Sequence, residues 1–250
     1  MGPCMSALCL CSMFLRPPQE PPCGGYLYEP CYSIDRAFHG KPRPYLPQPG
    51  DVMLATNDKI RSKIEHNVAL AFEPHHSAII FNRPDGTPAI LEAGPFDTFW
   101  INVMDLSHLK RYEEIGPVWI RQRKTPLTKE QSECLTAFCM RQDGKRFALG
   151  RLALQWTPLR PRGLLTAHRG RPHGDRNSYY CAELVMEACV AAGLVDAATA
   201  RPSATYPHDM FFDKSLNPYI NKHLPLACDW EPPAQWVSQP CQASGATARD

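Results

Sequence analysis

The chain has 250 residues, 44% hydrophobic and 21% charged, with a formal net charge of +2. These are the proportions of an ordinary globular protein with one core large enough to bury a site, and so small a charge excess argues against a nucleic-acid-binding surface spread over the molecule. Five of the eleven cysteines (Cys4, Cys9, Cys11, Cys23, Cys31) fall in the first 31 residues. The odd total, with Cys134, Cys139, Cys181 and Cys189 at helix-like spacings, reads as reduced thiols rather than a disulfide framework.

The run MSALCLCSMFL (5–15) has the length of a signal-peptide apolar region, yet no Lys or Arg precedes it and it is too short to cross a bilayer. It makes a poor export signal, so bacterial cytoplasm and cell envelope both stay open, with no integral membrane span expected. Residues 1–48 are rich in Pro and Cys without a sustained period, which predicts a lead-in that is extended on the surface or disordered. The folded unit is expected over 49–226, and 227–250, ending in small polar residues, is expected to be a flexible tail.

Within 49–226, DVMLA (51–55) reads as a strand and NDKIRSKIEHNVALA (57–71) as a helix capped by Asn57, with Ile60, Ile64 and Val68 on one face. SAIIF (77–81) and PAILEA (88–93) are apolar strands joined by NRPDGT, whose Pro-Asp-Gly is strong hairpin chemistry. PVWIRQR (117–123) supplies another strand. TKEQSECLTAFCMRQ (128–142) opens with Thr128 and Gln131 as a capping box and places Cys134 and Cys139 on an apolar stripe, where both are expected in the core. RPRGLLTAHRGRPHGDRN (160–177) is a basic loop that either binds an anionic group or is simply solvated. The helix that follows is capped by Asn177 or Ser178 and closed by Gly193, with Leu184, Val185, Ala188 and Ala192 on its buried stripe.

Cys181 falls in the first turn of that helix, where unpaired amides and the positive end of the helix dipole favour a thiolate. Cys189, two turns on, is expected to pack only. With Pro84, Asp85 and Gly86 as the hairpin loop, Ala78 lies opposite Glu92, and His76 and Glu92 share a face as diagonal neighbours. A carboxylate beside an imidazole fixes its tautomer and stabilises its charged form, the orienting role in a nucleophile, base and orienter triad. Cys181, His76 and Glu92 are therefore the candidate catalytic residues, with His75 as a competing base on the opposite sheet face. Zinc held by His75, His76 and Cys181 is an alternative, against which the absence of HExxH or paired CxxC spacing weighs.

In chain order, PGDVML, HHSAIIF, ILEAGP, RQDGKRFALG, YYCAELVMEA and ATYPHDMF resemble permuted papain-like proteins, and the chain resembles the YiiX/YebB (YaeF/YiiX) type of NlpC-superfamily cysteine hydrolases over about residues 49–212. The resemblance implies an α+β, circularly permuted papain-like fold, a small antiparallel sheet or partial barrel packed against helices, with 49–226 as the catalytic domain. It implies Cys181 as nucleophile, His76 as base and Glu92 as third polar group, acting on an amide or ester bond without metal or organic cofactor. Relatives in this broad group include amidases and lipid acyltransferases, so the expected partner is a small-molecule, lipid or peptide acyl substrate. Tyr180 and Tyr206 are expected to line the cleft or pack in the core, and Arg176, the loop guanidinium nearest the thiol, to favour a carboxylate or phosphate on the substrate. A non-catalytic acyl- or peptide-binding module is the alternative.

Overall fold

The computed structural model describes residues 24–30, 42–56, 73–94, 98–154, 157, 173–214 and 226–239. The helix expected over 57–71 and most of the basic loop lie outside these residues. The architecture is α+β. Ten strands are assigned among the described residues: β1 Tyr26–Pro30, β2 Arg43–Pro44, β3 Val52–Ala55, β4 His76–Asn82, β5 Pro88–Ala93, β6 Ile101–Asp105, β7 Val118–Arg121, β8 Arg146–Phe147, β9 Ser178–Tyr179 and β10 Ala234–Val237. The helices are α1 Leu109–Ile115, α2 Lys129–Gln142, α3 Leu149–Leu154, α4 Cys181–Ala191 and α5 Pro207–Phe212, with a 3-10 turn at Leu106–His108 leading into α1.

Eight strands form one antiparallel sheet in the order β2-β1-β10-β7-β3-β4-β5-β6, while β8 and β9 make a separate parallel pair. The sheet is larger than the small one expected, because both flanks of the chain join it. β1 pairs with β10, and β10 with β7, so the described parts of the lead-in and of the tail belong to the sheet, against the expectation that they lie outside the folded unit. Short strands flanked by proline carry no long alternation, and their pairing partners are distant in sequence.

The β4–β5 hairpin follows its local chemistry. Asp85 Oδ1 accepts hydrogen bonds from the amide and hydroxyl of Thr87 at 2.9 and 2.6 Å, Gly86 takes φ +87°, and the Arg83 amide reaches the Thr87 carbonyl at 2.8 Å. Ala78 lies opposite Glu92, as the loop length requires. Alternate residues of the central strands feed two cores. Val52, Leu54, Ile79, Phe81 and Leu91 pack with α2 and α4, whereas Met53, Ala55, Ala78, Ile80 and Ile90 pack with Leu106, Leu109 and Tyr112. Burial on both faces accounts for the near-continuous apolar runs of β4 and β5.

α2 begins with the expected capping box, Thr128 accepting from the Gln131 amide at 3.2 Å and the Gln131 side chain accepting from the Thr128 amide at 3.0 Å. Cys139 is buried on this helix, but Cys134 is exposed, which corrects its placement in the core: it lies on the solvent side of a stripe carried by Leu135, Phe138 and Cys139. In the middle of the sheet, buried Arg121 of β7 grips Asp213 at 2.6 and 2.9 Å and the Met210 carbonyl at 2.6 Å, fixing the end of α5.

Candidate active site

α4 starts at Cys181, with Tyr180 in extended conformation as its N-cap and no side-chain capping bond. The expected caps Asn177 and Ser178 lie further back, and Ser178–Tyr179 is a strand rather than a cap. That strand is what aims the helix. Tyr179 pairs with Phe147 and its carbonyl accepts from the Ala148 amide at 2.9 Å, while the Arg151 guanidinium donates to the Ser178 carbonyl and, at 2.6 Å, to Glu183 Oε1. Cys181 thereby occupies the first helical position, where the amides of the opening turn have no acceptor within the helix. Gly193, with φ +67°, closes the other end, and its amide reaches the Val190 carbonyl at 3.0 Å.

Cys181 is a half-buried residue, whereas Cys139 and Cys189 are buried. The Cys181 sulfur lies 3.8 Å from the His75 carbonyl oxygen and beside the amide and hydroxyl of Ser77. Burial alone would push this thiol up, but bonding to His76 and the charge of that ring, helped by Ser77, hold it below the ordinary cysteine value. Cys189 has no such partner, and burial pushes it up to about 12. It therefore packs, as its place two turns along the helix implies.

His76 opens β4 and Glu92 lies near the end of β5, both buried. His76 Nε2 stands 3.5 Å from Glu92 Oε2. Between them sits the Tyr112 hydroxyl of α1, 2.6 Å from Glu92 Oε2 and 2.9 Å from His76 Nε2, with the phenol ring stacked on the imidazole at 5.1 Å and 15°. His108 Nε2 approaches the other carboxylate oxygen at 3.1 Å. Burial opposes charge on His76, yet the Cys181 sulfur and the Glu92 carboxylate beside it outweigh that and raise the ring to about 9. Burial likewise opposes charge on Glu92, but His108, His76 and Tyr112 hold its carboxyl well below the usual carboxylate range. The arrangement favours a thiolate–imidazolium pair backed by an ionised carboxylate.

The structure thus brings Cys181, His76 and Glu92 together and adds Tyr112, His108 and Ser77. Tyr112 and His108 sit in a short, charged helix and turn whose sequence, LSHLKRYEEI, carries no motif; a histidine and a tyrosine four apart are the one local signal. The other sequence-based assignments fare differently. Tyr180 is buried, with its hydroxyl on the Ser203 carbonyl. Tyr206 is buried at the start of α5, its amide on Asp209 at 2.9 Å. Both are core residues. Arg176 lies against two buried glutamates of α4, its Nη1 3.2 Å from Glu183 Oε1 and its Nε 3.7 Å from Glu187 Oε1.

No family model matches the sequence, and no curated protein matches it. Among solved structures, the fold is similar to the crystal structure of metalloprotein yiiX from Escherichia coli O157:H7, DUF1105. That chain is 18% identical, with 63% of this chain and 69% of that one covered at a TM-score of 0.42. "Metalloprotein" describes yiiX; among the described residues of this chain, no three His, Cys, Asp or Glu side chains are grouped to hold one ion. Nor is any described helix long and apolar enough to cross a membrane.

Proposed function

We propose that the protein is a cysteine hydrolase or acyltransferase acting on an amide or ester bond. The observation that carries this reading is the placement of the half-buried Cys181 at the first position of α4 beside a buried imidazole whose other nitrogen faces Tyr112 and Glu92. In the resting pair the thiol proton resides on His76. The sulfur attacks the acyl carbonyl, forming a carbon–sulfur bond, and the imidazolium gives its proton to the departing amine or alcohol as the carbon–nitrogen or carbon–oxygen bond breaks. Water or an amine then attacks the acyl-enzyme and loses a proton to His76 as the carbon–sulfur bond breaks, which restores the thiolate–imidazolium pair. The Cys181 amide, free of any helical acceptor, supports the developing oxyanion. Glu92 stays ionised throughout and holds the ring.

The test is intact-mass analysis of the protein after incubation with a mixed set of acyl amides, acyl esters and short peptides. Retention of an acyl group on the wild type, mapped to Cys181 and missing in Cys181→Ala, is the expected result. A protein that binds these ligands reversibly without a covalent adduct or turnover would instead be a binding module on the same scaffold.

A further inference from the structure

Tyr112 occupies the gap that a direct imidazole–carboxylate bond would fill. A phenol has one proton to give, and an ionised carboxylate can only accept. The 2.6 Å contact therefore sends the Tyr112 proton to Glu92 Oε2. For the 2.9 Å contact on the other side to be a hydrogen bond, His76 Nε2 must carry the proton and donate it to the phenol oxygen. The ring nitrogen left for the thiol is Nδ1. His108, 3.1 Å from Oε1, ties the carboxylate from behind, which opposes its closing the 3.5 Å separation from His76. The phenol ring is anchored as well, buried in the second core beside Leu109 and stacked on the imidazole.

We infer that Tyr112 is a positioning residue of the site: its hydroxyl holds the proton on His76 Nε2 and so presents Nδ1 to the thiol, while His108 pins the carboxylate that orients the phenol. The inference rests on the reading of Cys181 as nucleophile. Cys181 from α4, Glu92 from β5 and Tyr112 from α1 face the imidazole; His108 faces Glu92, and Ser77 faces the sulfur. Without the hydroxyl, the imidazolium loses its nearest acceptor. Its proton then leaves at lower pH and the thiolate forms at higher pH, so the window of the charged pair narrows from both ends.

The experiment follows Cys181 alkylation by iodoacetamide and ultraviolet thiolate absorbance against pH in the full chain, wild type and Tyr112→Phe. In the variant, the acidic edge of the window is expected to move up and the alkaline edge down, with alkylation on the acidic side falling about tenfold, the scale of one hydrogen bond to a charged group. A tyrosine that merely fills space would lower the melting temperature and leave both edges in place, and that result overturns the inference. So does an outward shift. If Tyr112→Phe does not fold, a ring-fluorinated tyrosine at position 112 keeps the shape while weakening the phenol oxygen as an acceptor. It should give a smaller inward shift, and unmoved edges would again overturn the role. Absence of selective Cys181 alkylation in the wild type would instead remove the nucleophile reading, and this inference with it.

Discussion

A fragment covering residues 47–226 is expected not to fold. It lacks β1, β2 and β10, three of the eight strands in the main sheet. With them go Leu27 and Tyr45, both with no exposed surface, and Trp230 and Trp236, at 1% and 3% exposure. Fully burying a large apolar side chain contributes roughly 1.5–3 kcal/mol, so these four amount to about 6–12 kcal/mol. Compactness of the unfolded chain makes this an upper estimate, yet it is of the order of a whole domain's stability, about 5–15 kcal/mol. Polar terms act in the same direction. Asp51 loses the Tyr45 hydroxyl bonded at 2.9 Å, the Gly50 carbonyl loses the Trp230 indole at 2.8 Å, and β7 becomes an unpaired edge. Circular dichroism melting of fragment and full chain, with Cys181 alkylation as a probe of the site, measures the effect. A cooperative transition within a few degrees of the full chain, with reactivity retained, would refute the reasoning and return these strands to the status of appendages.

Alkylation near neutral pH should proceed at Cys181 ahead of Cys139 and Cys189, because His76 lowers the first thiol while burial raises the other two; peptide mapping of a time course decides it. Turnover of an acyl ester should rise with pH through the lowered Cys181 value, hold, and fall as His76 gives up its proton at about 9, and a rate still climbing above that point would mean that His76 is not the acid. His76→Ala should slow acylation about as much as Cys181→Ala, whereas Glu92→Gln, which keeps a partner for His108, should leave measurable activity; inactivation by His75→Ala alone would overturn the assignment of the base. Glu187 titrates at about 7 because burial raises it. The native state then binds more protons than the unfolded chain between the ordinary glutamate value and about 7, so this residue makes stability fall as pH rises through that range. Glu187→Gln should flatten the slope, read as melting temperatures at about pH 5 and about pH 8, and an unchanged slope would count against burial of the charge.

The hairpin and the helix that begins at Cys181 were legible because their signals are local. Pro-Asp-Gly sets a loop length, the loop length sets which residues of β4 and β5 face each other, and that pairing puts His76 and Glu92 on one face. Thr128 and Gln131 likewise mark a helix start from within four residues. Tyr112 was not legible, since its partners lie 36 and 20 positions away and reach it through packing of α1 against a sheet face. The same holds for β1 and β10, which pair Leu27 with Trp236 across nearly the whole chain. Flanking prolines and the shortness of both strands hide them from any test of alternation.

Arg176 shows where proximity in sequence misleads. A guanidinium five residues before the thiol reads, in sequence, as a handle for an anionic substrate. But α4 carries Glu183 and Glu187 on its buried side, and a buried carboxylate needs a partner more than a surface arginine needs a substrate. Glu183 draws Arg151 at 2.6 Å and Arg176 at 3.2 Å, and Glu187 accepts the Gly174 amide on both oxygens at 3.0 Å. Lys145 and the Tyr179 hydroxyl meanwhile hold Asp175 at 2.7 and 2.8 Å. The charges around residues 174–176 are thus spent on fixing the approach to α4, and through it the position of Cys181. Moving that guanidinium onto a substrate would leave Glu183 to Arg151 and Glu187 to the Gly174 amide, so any anion drawn to Arg176 competes with two carboxylates already against it.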